Sequence, residues 1–411
     1  MEEYRAPAEL LNEKGKLARP GWSAQDDFIY NKEAAGGGLS EWERYFVTGA
    51  SFALEISYGH TRSGGIAEVR LTDLETDERY ASGTVQAFPG DAFDLDFSCG
   101  EEHTVKFEND DLYLLLTHYG GVRRIQFRSE RFEGDLSCAN DGDGIYTAEA
   151  LAGKQFYYRG FRCFLGLSGY LRMHNRDLPL DAQTFLFSES VRAVMPRGDV
   201  YLRAFGSACV DGHVISLALS DGADSADENA LFYDGTLCKL GRVYMKRSAS
   251  DPLRPWYVSD STRRLHLEFA VRREYRVRRR AMLLHSETRQ YFGTLSGTVE
   301  LPDGETVRIE NMKKGLHVMV AAPGFTASNI RKTALNANGR QQGESPRNEN
   351  KMMTAEKCAA IIVKGIRKRK REIIMTFVEG KLAVFLSKWL PGLVDRLSYS
   401  LMAKEPDSPF K

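Results

Sequence analysis

Six cysteines in 411 residues leave little scope for cysteine chemistry. Cys99, Cys138, Cys163, Cys209, Cys238 and Cys358 form no C-x-x-C pair, so neither a zinc ribbon nor a dithiol redox centre is expected. Scattered thiols of this kind suit a reducing compartment. The eight histidines are equally isolated, with no H-x-H and no H-E-x-x-H, and spacing gives no reason to expect a metal. No apolar run reaches the roughly 18 residues that span a bilayer, so no transmembrane segment is expected. The opening MEEYRAPAELL is acidic and lacks the apolar core of a signal peptide, which makes the cytoplasm the expected location. Net charge is absent too: Lys+Arg and Asp+Glu stand at 56 each. No nucleic-acid partner is expected, since no aromatics interleave with the dense basic run Lys364 to Glu372.

What is present is uneven. Residues 313–411 hold 19 Lys/Arg against 8 Asp/Glu, so the first 312 residues carry a matching surplus of 11 negative charges. Such an asymmetry marks a boundary. Before it, the pattern is of strands. Ile125 and Phe127 alternate with Arg124, Gln126 and Arg128, and Leu265, Leu267, Phe269 and Val271 alternate with His266 and Glu268. Asp211-Gly212, Asp234-Gly235 and Asp303-Gly304 mark turns, the last closing a hairpin in which Val299 and Leu301 face Val307 and Ile309. RREYRVRRR, Arg272 to Arg280, reads as a strand with a basic solvent face, and Trp22 and Trp256 as core plugs. After Met312 the grammar changes to strand, helix, strand, helix. LHVMVAA is a continuous apolar run of the kind found in parallel sheets. The predicted fold is mainly β, a large antiparallel barrel or sandwich, followed by a truncated α/β remnant.

Residues from about 10 to 312 resemble the bacterial family DUF2804. The resemblance rests on Leu10-Leu11, Gly15, Leu17, Gly21-Trp22 and Tyr30-Asn31, then on Glu228-Asn229, Phe232, Asp234-Gly235 and Lys239-Leu240, and finally on Pro255-Trp256 and QYFGTLSGTV from Gln290. The family looks related to lipocalin-like and hydroxyneurosporene-synthase-like β proteins. The resemblance therefore implies a lipocalin-like barrel with an interior cavity and a small hydrophobic or amphipathic ligand, with no established activity. A family segment resembling D-W-G-R-G-x-W-P-Y corresponds here to ESVRAVMPR, Glu189 to Arg197. Glu189 stands for the acid, and Arg192 and Pro196 persist. Ser190, Val191, Ala193 and Met195 replace its tryptophans and glycines. The resemblance makes Glu189, Arg192, Glu228 and Asn229 the ligand-binding candidates. They would orient a polar ligand head or, equally, form a buried ion pair that fixes the fold.

Residues 313–411 resemble the last quarter of a short-chain dehydrogenase, carried by Pro323-Gly324-Phe325-Thr326-Ala327-Ser328. The resemblance implies the sixth strand of a Rossmann sheet, with Pro323, Gly324 and Ser328 as vestiges of a nicotinamide site. Two helices look like those that follow this loop, and the second, in Lys381 to Met402, reads as a docking or dimerisation helix with an alternative as a peripheral membrane contact. Lys364 to Glu372 reads as a solvated basic helix end. The earlier half of such an enzyme is missing. Thr48-Gly49-Ala50-Ser51 matches the opening of a glycine loop by letter, but Ala53 and Glu55 stand where the later glycines belong. No Tyr has a Lys four residues on, so the acid/base pair is absent as well. No cofactor is expected. Three readings remain: a small-molecule-binding β domain with an incomplete dehydrogenase tail, an NAD(P)-dependent oxidoreductase, and a nonfunctional chimera. The oligomeric state is open. Titration with NADH or NADPH, followed by nicotinamide fluorescence, is expected to show no micromolar binding; saturable enhancement would restore the oxidoreductase reading.

Overall fold

The computed structural model describes residues 2–318, apart from 62–63, 88–90, 152, 195–201, 222–227, 249 and 282–283, together with Thr354. These residues build three large sheets and a two-stranded one, Ala8–Glu9 with Phe28–Ile29. Among them no α-helix occurs, and one 3-10 turn, Lys32–Ala34, interrupts the strands. No described helix is long and apolar enough to cross a membrane. Cys99, Cys138, Cys163, Cys209 and Cys238 form no disulfide among the described residues.

The central sheet has nine strands. Its middle runs Gly144–Ala150, Phe156–Phe164, Phe185–Val194, Ser40–Thr48, Phe52–Thr61 and Gly64–Asp73, all antiparallel. Alternation fails here for a physical reason: both faces are covered. All nine residues of Phe156–Phe164 are buried, although the strand includes Arg159 and Arg162. One face packs on a six-stranded sheet built around Phe132–Ala139, Val122–Arg128 and Tyr113–Tyr119, through a core that joins Val47, Leu54, Ile56 and Val69 to Leu114, Leu116, Ile125 and Phe127. That outer sheet does alternate, as its sequence predicts. The other face packs on a second nine-stranded sheet, where Phe46, Phe161 and Phe187 meet Phe205 and Phe232. This third sheet curls around a core of its own, in which Trp256 is fully buried with Leu265, Leu267, Phe269 and Tyr291. Its edge strand Val243–Lys246 comes round to the end of His213–Asp221, with Met245 N donating to Asp221 Oδ2 at 2.7 Å. The architecture is thus a three-layer stack and not the closed barrel that was one form of the expectation.

Local predictions hold where turn chemistry is strong. Asp211-Gly212 and Asp234-Gly235 both have positive φ at the two corner positions, the geometry of a tight hairpin. The hairpin at Asp303-Gly304 forms with Val299 opposite Val307, and the same unbroken register puts Ile309 opposite Gly297; the ladder slips by a bulge only beyond this stretch, between Leu295 and Gly297. Tyr275 and Val277 are buried while Arg276 and Arg278 face solvent against Glu274 and Glu287. Thr48-Gly49-Ala50-Ser51 is a hairpin corner: Ser40–Thr48 turns back antiparallel into Phe52–Thr61, and Gly49 N donates to Phe52 O at 3.0 Å. No helix follows it, so it is not a dinucleotide loop.

The strand after Met312 differs from expectation. Thr306–Val318 runs antiparallel to Leu284–Glu300 and to Leu202–Val210, with Leu316 opposite Tyr291 and Ala204. An apolar run reports burial on both faces but not strand direction, so a parallel strand was the wrong inference for its first residues. Pro323, Gly324, Ser328, the basic run from Lys364 and the proposed membrane-facing helix lie outside the described residues.

The N-terminal segment wraps as expected. Gly15 has φ +67°, and a Cβ there would sit 2.2 Å from Ala34 O. Asn31 clamps Leu11 from both sides, accepting from Leu11 N at 3.0 Å and donating to Leu11 O at 2.7 Å. Asn31→Ala orphans two buried backbone groups. It is expected to lower the unfolding free energy by about 1–3 kcal/mol, read as an earlier urea midpoint at unchanged slope.

Candidate functional site

A strand buried on both faces sends alternate residues to different layers. In Phe185–Val194 the odd positions face the third sheet and the even ones face the six-stranded sheet. Glu189 and Arg192 differ by three, so they part company. Glu189 joins Glu228 in an ion-pair group on the third-sheet side. Arg159 Nε and Arg203 Nη1 donate to Glu189 Oε1 at 2.8 and 2.9 Å, and Arg44 Nη1 lies 3.5 Å from Oε2. Glu228 takes the far ends of the same two arginines, at 3.6 Å from Arg159 and 3.4 Å from Arg203. Arg203 also donates to the Tyr157 hydroxyl. Burial pushes the Glu189 carboxyl up, but Arg203, Arg159 and Arg44 together outweigh it and hold it well below the usual carboxylate range.

Arg192 lies on the other face and is fully buried. It donates to Glu43 Oε1 at 2.9 Å and to Phe97 O at 3.2 Å, between the rings of Tyr30 and Phe97. That is an anchor for the segment around Phe97. Asn229 is buried beside Glu228, but its Oδ1 accepts from Ser220 N at 2.7 Å, holding two strand ends together. Of the four sequence candidates, the fold therefore brings Glu189 and Glu228 together and sends Arg192 and Asn229 to other tasks.

The register shows what else surrounds Glu189. Trp42, Val191, Arg159 and Thr147 sit side by side on four adjacent strands, and Arg44 lies next to Glu189 in the neighbouring row. Trp42 packs with Tyr157, Val191, Ala193 and Leu151 as a small apolar cluster, and the Arg44 guanidinium lies over its indole. Ser190, Val191 and Ala193, which replace the family's larger or more flexible residues, are buried here. Three buried polar atoms of this patch have no hydrogen-bond partner among the described residues: Trp42 Nε1, Arg44 Nε and Thr147 Oγ1. Trp42 and Arg44 are half-buried, so the patch has an outlet to solvent. Sequence reasoning missed Trp42, Arg44, Thr147, Arg159 and Arg203. Their signal was parity along strands whose pairing was not yet known.

The interior cavity expected by analogy is small. Between Phe46, Leu54, Phe205 and Phe292, with Glu55 and Gln290 at one side, the seam holds about 30 Å³, room for about one water. An open groove of about 740 Å³ lies on the solvent face of the third sheet, along Tyr257, Ser259, His266 and Thr298.

A family model described as "Domain of unknown function (DUF2804)" matches residues 1–314. The chain belongs to the DUF2804 family. The DUF2804 signature now has physical content: Gly15 is a steric requirement, Asn31 a backbone clamp, Asp234-Gly235 a hairpin corner and Glu228 a partner of Glu189. Among curated proteins, dehydrogenase/reductase SDR family member 7B of Mus musculus is 26% identical over 104 residues, 25% of this chain and 32% of that protein. The chain thus spans about a third of that relative. Among solved structures, CghA with Sch210972 gives a TM-score of 0.46 at 9% identity, covering 75% of this chain and 95% of that one. Kievitone hydratase from Nectria haematococca gives 0.40 at 14% identity, covering 69% and 89%. A putative AttH from Nitrosomonas europaea gives 0.40 at 13%, covering 71% and 94%. Likeness at this level says nothing of what this DUF2804 chain binds.

Glu189→Gln removes one partner of a buried group and leaves guanidinium charge uncompensated, at an expected cost of about 3–5 kcal/mol. The pH dependence follows from the sign of the shift. A depressed carboxyl stabilises the fold fully above its ordinary value of 4.5 and loses that contribution as pH falls below it. Unfolding free energy of the parent should therefore drop more steeply with acid than that of the Gln variant. Parallel curves would remove Glu189 from the acid response.

Proposed function

We propose that the β domain binds a small amphipathic molecule bearing an acceptor oxygen, in the form of a carboxylate, at the Trp42–Arg44–Thr147 patch. The observation that supports this most is the trio of buried polar atoms without partners beside an ion-pair group. Native interiors satisfy almost all buried polar groups, so the exceptions at Trp42 and its near neighbour Arg44 point to a missing polar partner, with Thr147 three strands further along the same row. Two of the three, the Trp42 indole N–H and the Arg44 Nε–H, are donors only, which selects an acceptor. The ion-pair group itself holds three guanidinium groups against two carboxylates, and its charge favours an anion. Trp42, Tyr157, Val191, Ala193 and Leu151 supply apolar surface for the rest of the molecule. Glu189 orients Arg44, Arg159 and Arg203 and does not contact the ligand directly in this reading.

The oxidoreductase alternative finds no support in the described residues, because Thr48 to Ser51 closes a hairpin. The segment following the last described strand is taken as a dehydrogenase C-terminal fragment on the strength of Pro323 to Ser328. The partial similarity to the mouse dehydrogenase/reductase, comparable in extent with residues 313–411, supports that reading.

Calorimetric titration of the full chain with medium-chain carboxylic acids and the matching alcohols tests the proposal. The acids are expected to bind with saturation and the alcohols more weakly. Arg44→Ala should weaken the acids about tenfold or more, the loss of one charge-assisted hydrogen bond. Equal binding of acid and alcohol, or an Arg44→Ala variant that binds as the parent does, would overturn it.

A further inference from the structure

The opposite face of the central sheet carries a second polar group, at the edge where Ser40–Thr48 pairs with Phe52–Thr61. Glu41 and His60 are direct cross-strand partners there. The 91–97 segment folds over them and contributes Asp94. His60 Nε2 lies 3.1 Å from Glu41 Oε2 and 3.2 Å from Asp94 Oδ1. The three ligand-type atoms all fall within 4.8 Å of one another. Neither the ion-pair group around Glu189 nor the Trp42 patch shares these residues.

Each of these side chains is held in place. Glu41 is fully buried, with Oε1 accepting from the Tyr30 hydroxyl and Oε2 from Leu95 N at 3.2 Å. His60 Nδ1 lies 3.4 Å from the Thr61 carbonyl. That contact is compatible with a proton on Nδ1. Burial lowers the His60 pKa, but Glu41 and Asp94 outweigh it and raise it, so the protonated ring donates from Nε2 to Glu41 and lies beside Asp94. Loss of the Nε2 proton leaves three ligand atoms facing a common point that a metal ion can take over. Ligand atoms about 2.1 Å from a metal are roughly 3.0–3.4 Å apart, which matches the two measured separations. A ligating imidazole whose other nitrogen bonds a backbone carbonyl is the usual outer support of such a site.

Charge points the same way. Lys32 Nζ bonds Asp96 and lies 3.2 Å from Asp94 Oδ2 and 3.8 Å from Glu41 Oε2. One ammonium thus faces three carboxylates. It sits on the Asp94 oxygen turned away from His60, so it neutralises part of the charge without filling the point that His60 faces.

We propose that Glu41, His60 and Asp94 bind a divalent first-row metal ion, with Lys32 as a built-in competitor that weakens the site. One imidazole and two carboxylates form a mixed N/O donor set suited to zinc, manganese or ferrous iron. This departs from the expectation of no metal, which rested on spacing along the chain; the three ligands come from positions 41, 60 and 94 and no local motif announces them.

The test uses the full-length chain, freed of metal with chelator and titrated with Zn²⁺ by calorimetry and with Co²⁺ by visible absorption. One equivalent is expected, with a cobalt spectrum free of thiolate charge transfer. Glu41→Gln and Asp94→Asn should each weaken binding at least about a hundredfold. Lys32→Met should tighten it about tenfold, the effect of removing a nearby positive charge. That gain of affinity cannot arise from a variant that merely fails to fold. Absence of stoichiometric binding by the parent, a thiolate band, unchanged affinity in Glu41→Gln, or no tightening in Lys32→Met would each overturn the proposal.

Discussion

A sheet covered on both faces has no solvent side on which to place a charge, and the central sheet of this protein nevertheless holds Glu41, Glu43, Arg159, Arg162, Glu189 and Arg192. Isolated charges there would cost several kcal/mol each, so the layers can close only if every one finds a partner. Arg192 with Glu43 joins the sheet to the segment around Phe97. Arg159, Arg203, Glu189 and Glu228 join it to the third sheet. The stacking of the three layers depends on these pairings as much as on the phenylalanine cluster between them.

The same constraint explains where unsatisfied groups accumulate. Ion pairs that fix a layer interface are directional, and they leave gaps at their margins. On the third-sheet side the margin holds Trp42, Arg44 and Thr147 with partnerless atoms. On the other side it holds the Glu41–His60–Asp94 convergence. Between the central and third sheets, the seam near Phe205 has space for about one water.

Much of the β domain was legible from local patterns. Alternation marked the outer sheet, because one of its faces is wet. Asp-Gly corners marked hairpins, because only such residues tolerate positive φ at low cost. The N-terminal signature led to the family, and Gly15 and Asn31 turn out to have steric and hydrogen-bonding reasons for their identity. The failures share one cause. LHVMVAA reads as a buried parallel strand, and its first residues are in a strand, but an apolar run does not encode direction. Glu189 and Arg192 were named together from one family segment, either as ligand contacts or as a buried ion pair, yet a spacing of three in a strand puts them on opposite faces with separate ion-pair partners.

By itself the sequence determined the mainly β character of the described residues, the hairpin corners and the membership in DUF2804, since these depend on local sterics and on periodic burial. Only the tertiary structure decided which charges meet. Arg203 reaches Glu189 from another sheet, His60 meets Glu41 through a hairpin whose corner resembles a glycine loop, and Asp94 arrives from a covering segment. Contacts of that kind depend on strand register and layer stacking. Both are set by the sum of many weak packing terms, which no short stretch of chain contains.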